Sequence, residues 1–198
     1  MKVMVSTKKI LAAGFFAGCI MSASVSLTGC LTDDKKDTTS TVPTSTPWGA
    51  ETVVQVGAQG NASYGSAIDL DAKKVMLSAE ANAAQSSIDL VFMFSTGDVQ
   101  IGSPVYAKAA GDVPLAANYD LTKVKDTQIA RISTKPDDSQ LAASTFEATP
   151  KLNNAIVLDG GMYLVKTGQG KIAFVSINDV QGDSTKTSAK MTIALSGL

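Results

Sequence analysis

Both cysteines of this chain, Cys19 and Cys30, lie within its first 30 residues, and the chain has no histidine. Whatever folds beyond Cys30 does so without an internal disulfide or a His-bound zinc, and must stand on hydrophobic burial alone. The residues that can supply that core recur with period two. Ile88, Leu90, Phe92 and Phe94 alternate with Asp89, Val91 and Met93, as in a strand with one firmly apolar face. Residues 162–165 and 172–177 flank Thr167-Gly168-Gln169-Gly170 and read as a hairpin, its second strand apolar on both faces. Ala189, Met191, Ile193 and Leu195 set one face against Lys190 and Thr192, and Val53, Val54 and Val56 suggest an opening strand. Helix signals are fewer. Residues 78–85 are alanine-rich with Ser78 as N-cap, and residues 139–148 follow Asp138, another N-cap candidate, and stop before Pro150. The pattern predicts a single mainly β domain over residues 48–198, an antiparallel β-sandwich with one or two short helices.

The N-terminus is of another kind. Lys2, Lys8 and Lys9 precede residues 10–27, which carry no charge, and that run ends in Leu27-Thr28-Gly29-Cys30. This order reads as a lipoprotein signal peptide over residues 1–29, cleaved before Cys30, which then carries the lipid (palmitate among its acyl chains). An uncleaved membrane anchor is the other reading, since the run nearly spans a bilayer. The flanks favour cleavage: small residues precede Cys30 and an acidic stretch follows. Cys19 makes a poorer site because Phe16 stands where a small aliphatic residue is usual. Cleavage removes three of 17 basic residues and none of 18 acidic ones, leaving a mild negative charge. That composition argues against nucleic acid as a partner.

With Leu31 after the cysteine the chain resembles lipoproteins of diderm bacteria that lack Asp at that position, which implies the outer membrane, on its outer or its periplasmic face. Asp33, Asp34 and Asp37 read either as an acidic surface-export signal or as a plain solvated tether. Residues 30–47 then form the lipidated cysteine and a flexible Thr/Ser/Asp-rich tether, which cannot bury enough apolar surface to order itself. Its root-mean-square reach is roughly 20–25 Å.

The chemistry available is narrow. Without histidine the chain has no Ser-His-Asp or Cys-His nucleophile system, and its single arginine, Arg131, argues against bidentate clusters for phosphate or sugar acids. Gly168-Gln169-Gly170-Lys171 lacks the spacing and the Ser or Thr of a phosphate loop, and a strand follows it. Carboxylates remain. Asp69 and Asp71, two apart, share a face if they lie on a strand; with Asp89 and Asn61 they could offer oxygens to Ca²⁺, or two could serve as acid and base in a hydrolase. Aspartates at turns more often bond their own backbone. Trp48, Tyr64, Tyr106 and Tyr119 fall in segments read as loops; the three tyrosines suit ligand binding, or cap the ends of the core.

Two stretches carry a resemblance. The residues from Val56-Gly57-Ala58-Gln59-Gly60-Asn61 to Ser103-Pro104, and Gly161-Met162-Tyr163-Leu164-Val165-Lys166-Thr167 with Gly170-Lys171-Ile172-Ala173, resemble uncharacterised surface lipoproteins of the Bacteroidetes/Fibrobacter group. The Asp-led apolar strand and the hairpin also resemble, more distantly, HmuY-type haem-binding lipoproteins. The leading expectation is a non-enzymatic, lipid-anchored β-domain that binds a ligand or partner, a glycan or another envelope protein; the HmuY-type resemblance implies a β-rich, surface-anchored binding fold. It also implies an alternative, haem capture. The usual histidine ligands are missing, and Met76, Met93, Met162 and Met191 are the remaining candidates, each in an apolar stretch that suits core packing. No cofactor is assigned.

Overall fold

The computed structural model describes residues 47–110, 120, 122–124 and 126–197, all within one compact unit, residues 41–198. The expectations for the signal peptide, for lipid attachment at Cys30, for all of the tether but Pro47 and for Tyr119 lie outside the described residues.

Ten strands form two five-stranded antiparallel sheets. The first has the order β1 (Thr52–Gly57), β10 (Ser188–Leu195), β9 (Ile172–Gln181), β8 (Gly161–Lys166), β6 (Gln128–Ile132). The second has the order β3 (Lys74–Met76), β2 (Ala67–Asp69), β4 (Leu90–Ser95), β5 (Asp98–Gly102), β7 (Asn154–Ile156). Strand parity sorts the apolar side chains. Leu90 and Phe92 of β4 meet Tyr163, Val165, Val175 and Ile193 between the sheets, where all six are fully buried. Each such side chain contributes roughly 1.5–3 kcal/mol by leaving water. The mainly β sandwich expected from the period-two pattern is what forms.

Both sheets are also covered on part of their outer faces. Val91 and Met93, the alternate residues of β4, pack with Ala67 and Met76 beneath Ala81 of α1 (Ser78–Ala83) and Ala107 of α2 (Pro104–Ala110). Leu164, Phe174 and Ala194 pack against Ala142 and Phe146 of α3 (Ser139–Ala148). Both faces of β4 and β9 are therefore largely apolar, as buried central strands require. Among the described residues three α-helices stand where one or two were expected. In α3 the Asp138 carboxylate accepts from the Leu141 N–H at 2.7 Å, as its N-cap position predicts. In α1 the expectation fails: Leu77 is the N-cap residue, Ser78 is already helical, and no side chain caps the end.

Two connections shape the polar end and one flank of the sandwich. The β8–β9 turn closes as the sequence suggests, with Thr167 N–H donating to Lys171 O at 2.8 Å and Gly170 at φ +86°. Residues 151–156 cross between the sheets. Leu152 exchanges two backbone hydrogen bonds with Ile129 of β6, at 2.8 and 2.9 Å, before the chain becomes β7 on the other sheet.

Candidate functional site

The densest polar chemistry lies at the end of the sandwich that holds the β8–β9 turn, and Asp89 is its centre. Ile88 ends a short 3-10 turn (Gln85–Ser87) and packs with the outer cluster beside Val91, so the alternation starts at Leu90 and not at Ile88. This break frees Asp89 from either face of the strand. Its Oδ2 accepts from Leu70 N–H at 2.9 Å and its Oδ1 from Gly168 N–H at 2.8 Å. Its carbonyl accepts from the Thr127 hydroxyl at 2.6 Å. One residue therefore joins the β2–β3 turn, the β8–β9 turn and the approach to β6.

Asp89 is only 4% exposed. Burial pushes its carboxyl up from 3.8 to about 6, the Gly168 and Leu70 N–H groups pull it down, and the charges of Asp71 and Asp69 add to the rise. A raised carboxyl is a common mark of general acids. Here both oxygens are engaged by backbone and shielded from water, so the geometry is that of a structural tie.

Asp69 and Asp71 do not share a strand face, because β2 ends at Asp69 and Asp71 lies in the turn. Asp69 Oδ1 accepts from Ala72 N–H at 2.8 Å, a local turn bond. Asp71 Oδ1 faces the Lys171 ammonium at 3.3 Å. Asn61 is spent at the other end of β1, donating to Lys186 O and accepting from Ser63 and Tyr64 N–H groups. Among the described residues no three His, Cys, Asp or Glu side chains are grouped to hold a metal ion.

The expected tyrosines are not brought together. Tyr64 is 39% exposed in the loop after β1. Tyr106 belongs to α2 rather than to a loop; it packs on the outer cluster of the second sheet and its hydroxyl donates to Gln100 Oε1 at 3.2 Å. Trp48 is a bolt: its indole N–H donates to Pro136 O at 2.7 Å and its ring lies 6.1 Å from that of Phe174. Lys135 sits over both rings and pairs with Glu51. The methionines disperse, Met191 between the sheets, Met76 and Met93 under α1 and α2, Met162 with α3.

Concave surface lies elsewhere. A depression of about 320 Å³ is lined by Asp126, Gln128, Lys166, Thr167, Gly168 and Gly170. A second, of about 200 Å³, lies on the far side of the same turn, where Lys166 and Gly170 recur beside Glu147, Lys171 and Ser196. Neither Tyr64 nor Tyr106 lines them. Lysines and carboxylates both line these surfaces, Lys166 facing Glu147 at 3.8 Å and Lys171 facing Asp71 at 3.3 Å, and with the turn backbone they suit a neutral polar ligand rich in hydroxyl groups. The sequence signal was the Gly168-Gln169-Gly170-Lys171 turn itself, which reads as a hairpin and gives no sign of the hollows beside it.

The fold and this end together define a class: a two-sheet antiparallel β-sandwich with helices on both outer faces and a carboxylate-tied, polar end. Comparison with known protein families, with curated proteins and with solved structures found no match to this chain. Among the described residues no helix is long and apolar enough to cross a membrane.

Proposed function

We propose that the chain is an outer-membrane or cell-surface lipoprotein, held by lipid on Cys30, whose β-sandwich binds a glycan or an envelope protein without catalysing a reaction. The observation that carries this reading is Leu27-Thr28-Gly29-Cys30 at the end of the uncharged run, behind Lys2, Lys8 and Lys9. The described chain enters at Trp48, which bridges to Ser196, and Gly49 N–H donates to Leu195 O at 2.9 Å. The described chain thus enters at the end that carries the β8–β9 turn, and the loop holding Tyr64 lies at the opposite end of β1. Binding is assigned to the polar hollows that share Lys166.

Cells expressing the chain and its Cys30→Ala variant test the anchor by palmitate labelling and membrane fractionation. Label in the wild type alone, with the variant released to the soluble fraction, is the expected result. Equal labelling, or membrane retention of both, overturns the lipoprotein reading. A glycan array probed with the wild type and with Lys166→Ala tests the hollows, and retention of any bound glycan by the variant removes them as the site.

A further inference from the structure

The four edge strands of the two sheets are not equally finished. On β6, Leu152 takes the N–H and C=O of Ile129. β7 is three residues long, and its Ile156 carbonyl accepts from the Tyr163 hydroxyl. β3 is equally short and carries Lys74, which is paired with Glu80. Charge, shortness and plugged backbone are the usual guards of a sheet edge, and β1 has none of them. It reads Thr52-Val53-Val54-Gln55-Val56-Gly57, mostly β-branched and without a charge or a proline.

Parity decides which backbone groups of β1 face away from the sheet. Ala58 N–H donates to Thr187 O at 2.8 Å, in register with Val56↔Ala189, Val54↔Met191 and Thr52↔Ile193, so the even residues spend their groups on β10. The odd residues face outward. At one end Gly57 is taken, its N–H on Gly65 O at 2.9 Å; at the other, Ala50 O accepts from the Lys73 ammonium. Between these stops the N–H and C=O of Glu51, Val53 and Gln55 have no hydrogen-bond partner among the described residues. The side chains of these three are exposed too, Val53 at 61%. The open window therefore runs from residue 51 to residue 55, and Val53 is its centre.

We propose that this edge is a dimerisation site, where β1 of a second copy pairs antiparallel with it about a two-fold axis at Val53. In that register Val53 lies opposite its own counterpart, and Glu51 of each copy lies opposite Gln55 of the other. Each outward residue then exchanges both of its backbone bonds, and no group in the window is left over. The side chains agree with the backbone. The two Val53 side chains cover each other, and the Gln55 amide can donate to Glu51, of which Lys135 engages only Oε1. Other registers fail on these same residues. A ladder centred nearer Gly57 runs into the Gly57–Gly65 bond, and one centred on Glu51 sets two carboxylates face to face. The joined sheet has the two β1 strands at its middle and β6 of each copy at its outer edges. The hollow lined by Gln128 and Lys166 stays uncovered in both copies, so a dimer presents two of them. The pairing itself needs neither the lipid on Cys30 nor a ligand in the hollows.

Cysteine cross-linking in cells expressing the full chain tests the pairing. In the proposed dimer the two Val53 Cα atoms lie about 5.5 Å apart, within disulfide reach. Mild oxidation should turn most of Val53→Cys into a disulfide-linked dimer. Thr192→Cys, beside Val53 but one strand further from the axis, should stay monomeric. The unsubstituted chain, whose own cysteines both precede residue 31, is the blank. Register is read from two further variants: Glu51→Cys and Gln55→Cys should cross-link when expressed together and not when expressed singly. Adding Val53→Lys to both sets two ammonium groups opposite each other and should abolish that cross-link. All of these positions are exposed or half-buried, so folding is not at stake. Val53→Cys no more cross-linked than Thr192→Cys overturns the proposal and leaves the edge to a foreign strand or to none. Cross-linking of Glu51→Cys or Gln55→Cys alone as strong as in the mixture, or a cross-link indifferent to Val53→Lys, overturns it as well.

Discussion

Strand β4 is tied to its surroundings at both ends by one side chain, and the two ties differ in kind. Before its first residue stands Asp89, buried, ionisable and surrounded by carboxylates, with one oxygen on Leu70 N–H and the other on Gly168 N–H. Near its last residue the side chain of Gln59 pairs with Phe94 as a strand would. Its amide donates to Phe94 O at 2.6 Å and its oxygen accepts from Phe94 N–H at 2.9 Å. Both satisfy backbone groups that the sheet leaves over. The glutamine brings a donor and an acceptor to a donor and an acceptor, and no charge is buried. The aspartate meets two donors, which a neutral amide cannot do, and its charge is the cost of that match. The same mechanical task thus makes one end of the strand respond to pH and the other indifferent to it.

The widest separation between the two ends should come from pH. Folded Asp89 keeps its proton up to about pH 6, whereas the unfolded chain releases it near 3.8. Between those values the folded state binds more protons, so this residue makes stability fall as pH rises, by about 3 kcal/mol in all. Denaturant unfolding at pH 4 and pH 7.5 should show that contribution as the difference between the wild type and Asp89→Asn. Next is Gln59→Ala, which leaves the Phe94 N–H and C=O without their partner and should cost about 2 kcal/mol, by the same amount at both pH values. A pH-dependent loss there would erase the contrast. Tyr163→Phe removes a third, neutral tie, the hydroxyl that donates to Ile156 O at 3.0 Å from inside the core. About 1 kcal/mol should be lost in thermal unfolding, again without pH dependence near neutrality. The smallest effect belongs to Lys171→Met. Its pairing with Asp71 is partly exposed, so stability should change by about 0.5 kcal/mol or less. Denaturant unfolding at pH 7.5 checks it, and a loss of more than about 1 kcal/mol would mark the pair as more than a surface contact.

The sequence made some of this visible and hid the rest for definable reasons. The strands legible in it, β4, β8, β9 and β10, are long enough to show a period, and β10 places Ala189, Met191 and Ile193 on the inter-sheet core as the alternation with Lys190 and Thr192 implies. Strands of three residues, such as β2, β3 and β7, offer too little to count and exist through their pairing partners. Helix α2 was hidden because Pro104 reads as a turn residue, although at the start of a helix its missing N–H costs nothing. The candidate site was harder still. Asp69 and Asp71 suggest a shared face only while β2 is imagined two residues longer than it is. Asp89 stands in sequence as the polar residue before a strand, and its partners are 19 and 79 positions away. Nothing local records a bond of that kind.

The crossing made by residues 151–156 has a consequence for one edge of the sandwich. A sandwich ordinarily presents open strand edges along its flanks, each able to recruit a strand from a neighbour. On this flank Leu152 has already spent its N–H and C=O on Ile129, and β7 runs on along the edge of β5. The same stretch of chain thus meets the last strand of one sheet at Ile129 and then becomes the last strand of the other, like a thread that catches two layers of cloth. A neighbouring strand arriving at β6 finds the Ile129 N–H and C=O already taken, which interrupts that edge.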